Sequence, residues 1–375
     1  MGTVVPATHL VLAKHAHLVG IATGLEHDGA WCRADEIREI VLAGTRERRT
    51  VLWVVRLDLQ RVRDAVASID PAFMSTPQFE SVPLSDALGC SATLKVETLN
   101  PVRSFKGRGT ETVMSALSRE GRYSSAVCAS AGNLGQALAY SGARRGIPVT
   151  VFVAETASPH KIDRMRSLGA TVHLEGEDIE MPRVLARAHA NNDSSYLVED
   201  SLDLATCEGA ATIGLELADT AVRFDVVLLA LGGGALASGV GHVMRQLSPE
   251  TQVIAVQPIG APAMALSWRN RAVVTTDVID TIADGVAGRY PIPEVLEDLL
   301  EIVHDVVLVD DDSIKAGMRH LFELAGLVAE PSAALGVAAI LEDRERFRGL
   351  AVATVVCGSN ISPDDFRRWA LNPHR

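Results

Sequence analysis

From residue 92 onward the chain alternates short β-rich runs with stretches of helical periodicity, and this alternation narrows the fold more than any other feature. The strand candidates are ATLKVE (92–97), SSAVCAS (124–130), PVTVFVA (148–154), ATVHLE (170–175), DVVLLAL (225–231), TQVIAVQ (251–257), VVLVD (306–310) and AVATVVC (351–357). Such runs, separated by helix-length segments, predict an α/β architecture of parallel-rich sheets flanked by helices. The helical stretch FKGRGTETVMSALSRE stops at Gly121, and GNLGQALAYSGARRG stops at Gly146 before a proline, as helices do where glycine takes the left-handed cap. Glycines also gather at the C-terminal ends of several strands, where open α/β sheets place their ligand loops. The first 65 or so residues read differently: a helical piece at 34–42, a strand-like TVLWVVRL at 50–57 and a helix in LQRVRDAVASI at 59–69.

With 375 residues, 47% of them hydrophobic, the chain can build one large or two medium cores. A net charge of -12 without a basic cluster argues against nucleic acid or an anionic membrane as partner, and no run reaches the roughly 20 apolar residues of a membrane span, so the expected partner is a small molecule. Five cysteines (32, 90, 128, 207 and 357) stand scattered, without a CxxC pair, as reduced thiols do in a cytosol. The N-terminal stretch lacks a signal-type charged head and long apolar core, which also predicts a cytoplasmic protein. Eleven histidines form no HExxH, and no metal is expected.

The chemistry starts from NPVRSFKGRG (100–109). Of 35 basic residues only five are lysines, so Lys106 stands where the chain does not use its usual arginine. Arginine stays protonated, whereas a lysine amine can act as a nucleophile and form a Schiff base. Two glycine loops, SAGNLG (130–135) and GGGALASG (232–239), each follow a predicted strand and open a predicted helix. Backbone amides at such a junction can bind phosphate or carboxylate, although either loop taken alone reads more readily as a tight turn. GGGALASG lacks GxGxxG spacing, and no acidic residue closes the next strand, which weakens a dinucleotide-binding reading. A lysine, a carboxylate-sized loop and a phosphate-sized loop together are the needs of a pyridoxal phosphate enzyme.

At this point the sequence resembles the fold-type II pyridoxal-phosphate enzymes, in their threonine/serine dehydratase and serine racemase branch. The resemblance runs from about Arg61 to the C-terminus through SFKGRG (104–109), SAGNLGQALAY (130–140), SPHKIDRMRSLGA (158–170), EGAATIGLEL (208–217), GGGALASG (232–239), TIADGVA (281–287), AEPSAALGVAAIL (329–341) and CGSN (357–360). It implies two open twisted sheets, with the cofactor between a large domain (61–123 and 204–375) and a small one (124–203). Residues 1–60 are left as an extension of unassigned role. It implies that Lys106 carries the cofactor as a Schiff base and moves the Cα proton, with Phe105 beside the ring. Asn133 would bond the ring hydroxyl, and Ser130 with the amides of Ala131, Gly132 and Asn133 would take the substrate carboxylate. Gly232, Gly233, Gly234, Ala235 and Leu236 would cradle the phosphate, Cys357 would face the pyridine nitrogen, and Glu330 and Asp284 would stand nearby. Taken alone, Glu330 also reads as a first-turn helix residue, Asp284 as a turn residue and Cys357 as a buried strand cysteine.

Several residues depart from the family pattern. Ala235 replaces a usual glycine and Leu134 a common histidine. Ala131 stands where serine racemases carry an opposite-face base, which argues against racemisation. Gln257 and Ala263 occupy the positions of a cation-binding acidic pair, so no metal is expected there. A thiol at 357 cannot hold the ring nitrogen protonated as a carboxylate would, which favours expulsion of a β-leaving group over a long-lived carbanion. The implied activity is ammonia-lyase chemistry on threonine or serine by a homodimer. The alternatives are β-elimination, β-replacement or racemisation on another amino acid, and a catalytically inactive cofactor-binding regulatory protein. A nicotinamide-dependent dehydrogenase is a more distant fourth.

Overall fold

The computed structural model describes residues 55–371; the helical piece expected at 34–42 and most of the strand-like piece at 50–57 lie outside the described residues. The described end of that second piece is not a strand. Arg56 donates from its backbone N–H and its Nε to the two carboxylate oxygens of Asp298, at 2.9 and 2.8 Å, just before the helix Leu59–Val66 begins. That helix is capped by the Asp58 carboxylate and packs Val62 against Ala211 and Val243.

Ten strands follow: β1 (Gln78–Glu80), β2 (Ser91–Val96), β3 (Ala126–Ala129), β4 (Val149–Val153), β5 (Thr171–Leu174), β6 (Tyr196–Leu197), β7 (Val226–Ala230), β8 (Gln252–Pro258), β9 (Asp305–Val309) and β10 (Ala351–Val356). Every β-rich run picked out from the sequence beyond residue 92 forms one of them. They build a six-stranded sheet in the order β1-β2-β10-β7-β8-β9 and a four-stranded sheet in the order β5-β4-β3-β6. All pairings are parallel except the edge pair β1–β2. β7, Val-Val-Leu-Leu-Ala, is buried along its whole length, as expected of a parallel strand covered by helices on both faces. The very short β1 and β6 were not anticipated.

The two sheets are joined through helices Lys106–Glu120 and Leu204–Ala218, which touch backbone to backbone. A Cβ on Gly209 would lie 2.4 Å from the Arg108 carbonyl oxygen and 2.5 Å from Gly109 Cα, and one on Gly109 would lie 2.7 Å from the Thr206 carbonyl oxygen. Only glycine permits this approach at both positions. Between these helices and β2, the fully buried Arg108 guanidinium bonds Glu97 at 2.8 Å and Glu216 at 2.7 Å, and Lys95 completes the cluster on Glu216. The two cations and two carboxylates satisfy one another, and removing one partner would strand a buried charge. Among the described residues, no helix is long and apolar enough to cross a membrane.

Candidate active site

One cleft of about 340 Å³ is lined by Phe105, Lys106, residues 129–134, Asp200, residues 232–236, Glu330 and Cys357, among others. The common origin of these groups explains why they meet. The segments bearing Lys106, Ser130, Asp200, the glycine loop and Cys357 leave the C-terminal ends of β2, β3, β6, β7 and β10 respectively, the edge at which parallel sheets hold ligands.

Lys106 opens its helix directly after a tight loop. The Asn100 carboxamide organises that loop: its Nδ2 donates to the carbonyls of Glu97 (2.8 Å) and Ser104 (3.1 Å), and its Oδ1 accepts from the amides of Val102 and Ser104. The loop is also tied to the distant CGSN segment, for the Phe105 N–H donates to the Cys357 carbonyl at 3.0 Å and the Ser359 N–H to that of Arg103 at 2.9 Å. Lys106 Nζ lies 4.7 Å from the Phe105 ring centroid and makes an ion pair with Asp200. Asp200 was not among the residues singled out from the sequence. It follows β6, a two-residue strand too short to be read from the sequence, so no local signal marked it.

The loop 130–132 precedes helix Asn133–Arg145. Ser130 Oγ accepts from the amides of Gly132 and Gly135, both at 3.2 Å, whereas among the described residues the Ala131 and Asn133 amides have no protein acceptor. Asn133 donates from Nδ2 to Glu330 (2.7 Å) and accepts at Oδ1 from Asn360 Nδ2 (2.7 Å), and Asn360 also donates its backbone N–H to Glu330 at 3.0 Å. Asn360 was quoted only as part of a motif, yet it fixes two of the cleft's groups. Burial pushes the Glu330 carboxyl up to about 7, aided by the nearby Asp284 carboxylate and opposed by Lys161 and the two asparagine donors. Its buried place in this network differs from that of an ordinary first-turn residue. Asp284 is exposed and pairs with Lys161, another lining residue the sequence did not single out.

The loop Gly232–Gly234 leads into helix Ala235–Leu247. Gly234 has φ +110°, and a Cβ there would lie 2.4 Å from Val295 Cγ1; one on Gly232 would lie 3.0 Å from Val286 Cα. The Ala235 amide is taken by Ser201 Oγ at 3.0 Å, while the amides of Gly232, Gly233, Gly234 and Leu236 have no acceptor among the described residues. Ser332 Oγ, also on the cleft, is buried without a partner. Free amides, glycine-only clearance and an orphaned hydroxyl fit a phosphate monoester. Leu134 and Ala235, the departures from the family pattern, are both buried on the cleft wall. Cys357 is buried at the cleft floor, and burial pushes its thiol far up, so it is neutral at physiological pH. Gln257 is buried and its Oε1 accepts the Ala265 amide at 2.9 Å.

Comparison with known proteins agrees with this geometry. Residues 69–358 match the family described as "Pyridoxal-phosphate dependent enzyme". The chain is 33% identical over 305 residues to L-threonine ammonia-lyase of Thermotoga maritima, covering 81% of this chain and 76% of that one. It is 30% identical over 312 residues to phenylserine dehydratase of Ralstonia pickettii, covering 83% and 95%. The structure of maize serine racemase superimposes with a TM-score of 0.78 at 26% identity, over 83% of this chain and 96% of that one. By these matches the chain belongs to the pyridoxal-phosphate-dependent enzyme family, with pyridoxal 5'-phosphate as its cofactor.

Proposed function

We propose that the protein is an ammonia-lyase that converts a β-hydroxy amino acid, L-threonine or L-serine, into a 2-oxo acid and ammonia. The observation that carries this reading is the convergence of the Lys106 amine, the 130–133 loop and the 232–236 loop on one cleft. The named activities of the relatives support the reaction class.

In this reading Lys106 would hold the cofactor through its amine and would serve as the base for the substrate Cα proton. Ser130 with the amides of Ala131 and Asn133 would bind the substrate carboxylate, and the amides of Gly232, Gly233, Gly234 and Leu236 would bind the phosphate, while Gly132 and Ala235, expected among these donors, give their amides to Ser130 and Ser201 and line the two loops. Asn133, fixed by Glu330 and Asn360, and Phe105 would hold the cofactor ring, Asn133 through its ring hydroxyl. Bound there, the cofactor supplies an electron sink that makes the Cα proton labile and the β-hydroxyl a leaving group. The neutral Cys357 thiol limits that sink, which suits elimination, and Ala131 offers no base on the opposite face, which disfavours racemisation. The four-stranded sheet forms the small domain, and the enzyme works as a cytoplasmic homodimer.

The test is to assay the purified protein loaded with cofactor, alongside Lys106→Ala, for 2-oxo acid and ammonia from L-threonine and L-serine. Release of both products in stoichiometric amounts by the parent alone is expected. Absence of turnover with either amino acid, despite a lysine-bound chromophore, would remove the substrate assignment.

A further inference from the structure

We infer that Asp200 is a positioning residue for Lys106, holding its Nζ in an ion pair at the mouth of the glycine loop and thereby setting how readily that nitrogen enters Schiff-base chemistry. The inference deepens the proposed function and rests on it for the role of Lys106.

The geometry is built for that task. Lys106 Nζ contacts Asp200 Oδ2, and both side chains are largely shielded, at 16% and 28% exposed. The other carboxylate oxygen, Oδ1, is buried and has no hydrogen-bond partner, so among the described residues its only charge partner in contact is the lysine. Asp200 is aimed by the residue after it. Ser201 is fully buried with φ +68°, a conformation uncommon for a residue with a side chain, and its Oγ accepts the Ala235 amide. That reversal sends Ser201 into the glycine loop and leaves Asp200 facing Lys106. A Cβ on Gly233 would lie 2.9 Å from Ser201 Oγ and 3.9 Å from Asp200 Oδ2, so the carboxylate stands against the cradle itself. Arg56 braces the same turn by donating to the carbonyls of Ser201 and Leu202, at 3.4 and 3.3 Å, while its guanidinium charge is taken by Asp298. Asp200 also acts on the buried Cys128 and Cys207 thiols and on the Asp203 carboxyl, each pushed toward its neutral form first by burial. Among the described residues, the ammonium of Lys106 is therefore the positive charge placed to balance Asp200.

The shielded ion pair must open before Lys106 Nζ can reach an incoming aldehyde, and hydrogen bonds to charged groups are strong enough to slow that step by roughly tenfold. The same contact gives the nitrogen one fixed direction beside the glycine loop.

The experiment uses cofactor-free full-length protein with pyridoxal, which lacks the phosphate, and sodium borohydride. The Lys106 amine adds to the aldehyde carbon and water leaves; borohydride then delivers hydride to that carbon, fixing a secondary amine that peptide mass spectrometry locates. At neutral pH, Lys106 in Asp200→Asn is expected to be modified about tenfold faster than in the parent, and Asp200→Glu is expected to restore slow modification. Asp200→Ser serves as a second neutral variant, and circular dichroism spectra verify that each chain is folded. Modification of Lys106 at the parent's rate or slower in folded Asn and Ser variants overturns the inference while leaving the lysine's assignment intact. If pyridoxal modifies other lysines but not Lys106 in parent and variants alike, the assignment of Lys106 itself falls, and this inference with it.

Discussion

Glu330→Gln isolates the energetic consequence of burying a carboxyl group beside the cleft. Burial, with the Asp284 carboxylate adding to it, moves the Glu330 carboxyl from 4.5 to about 7. The folded chain thus binds this proton more tightly than the unfolded one. The associated stability is fully present below pH 4.5 and is lost as pH rises through about 7. The full loss is roughly 3 kcal/mol, of which roughly 2.5 kcal/mol falls between pH 5 and pH 8. The carboxamide introduced by Glu330→Gln would keep one oxygen to accept from Asn133 or Asn360 but would not titrate, so any cost of the substitution is independent of pH. Urea unfolding of the cofactor-free protein at pH 5 and pH 8 gives the comparison. The parent should lose roughly 2.5 kcal/mol more than Glu330→Gln across that interval, the other titrating groups being common to both. An identical loss in the two proteins would mean that Glu330 is ionised in the folded chain over the whole interval, and the reasoning from burial would be wrong.

Two further substitutions probe the scaffold around the site. Gly234→Ala forces a Cβ to within 2.4 Å of Val295 Cγ1 at a φ of +110°; it should cost about 2 kcal/mol in thermal or chemical denaturation and weaken pyridoxal phosphate binding at least tenfold by displacing the cradle amides. Arg108→Met leaves Glu97 buried without its cation; a loss of about 3–5 kcal/mol in urea unfolding is expected, and a loss below about 1 kcal/mol would show that the cluster relaxes or admits water.

Much of the fold was legible because its strands are covered on both faces. A run such as Val226–Ala230 has no polar position to confuse its reading, and the glycines after it mark where the chain turns. The missed strands had no such signature: Gln78–Glu80 and Tyr196–Leu197 are too short to show a period and exist because β2 and β3 offer them partners. The same division holds in the cleft. Lys106 and the two glycine loops could be read because residue type and local neighbours carry their chemistry. Asp200 lies in VEDSLD, where nothing local separates it from the other acidic and polar residues. It acquires meaning only when Ser201 turns the chain in three dimensions. Asn360 likewise gains its place from Glu330 and Asn133, residues far away in sequence.

The strand order also governs the sequence of events as the chain folds. The four-stranded sheet is made from one continuous stretch and can close through local contacts, whereas β2 must wait for β10, pairing Ser91 with the sequence-distant Ala351. Closing so long a loop before it is rewarded makes such pairings slow. The loop that presents Lys106 is anchored by the Cys357 carbonyl, so a ribosome-bound chain that has not yet released its last strand carries the reactive lysine without the pocket around it. Competence to take up cofactor is therefore acquired only after β10 has been made, and a chain truncated before β10 should accumulate as a species that owns the small sheet but never matures.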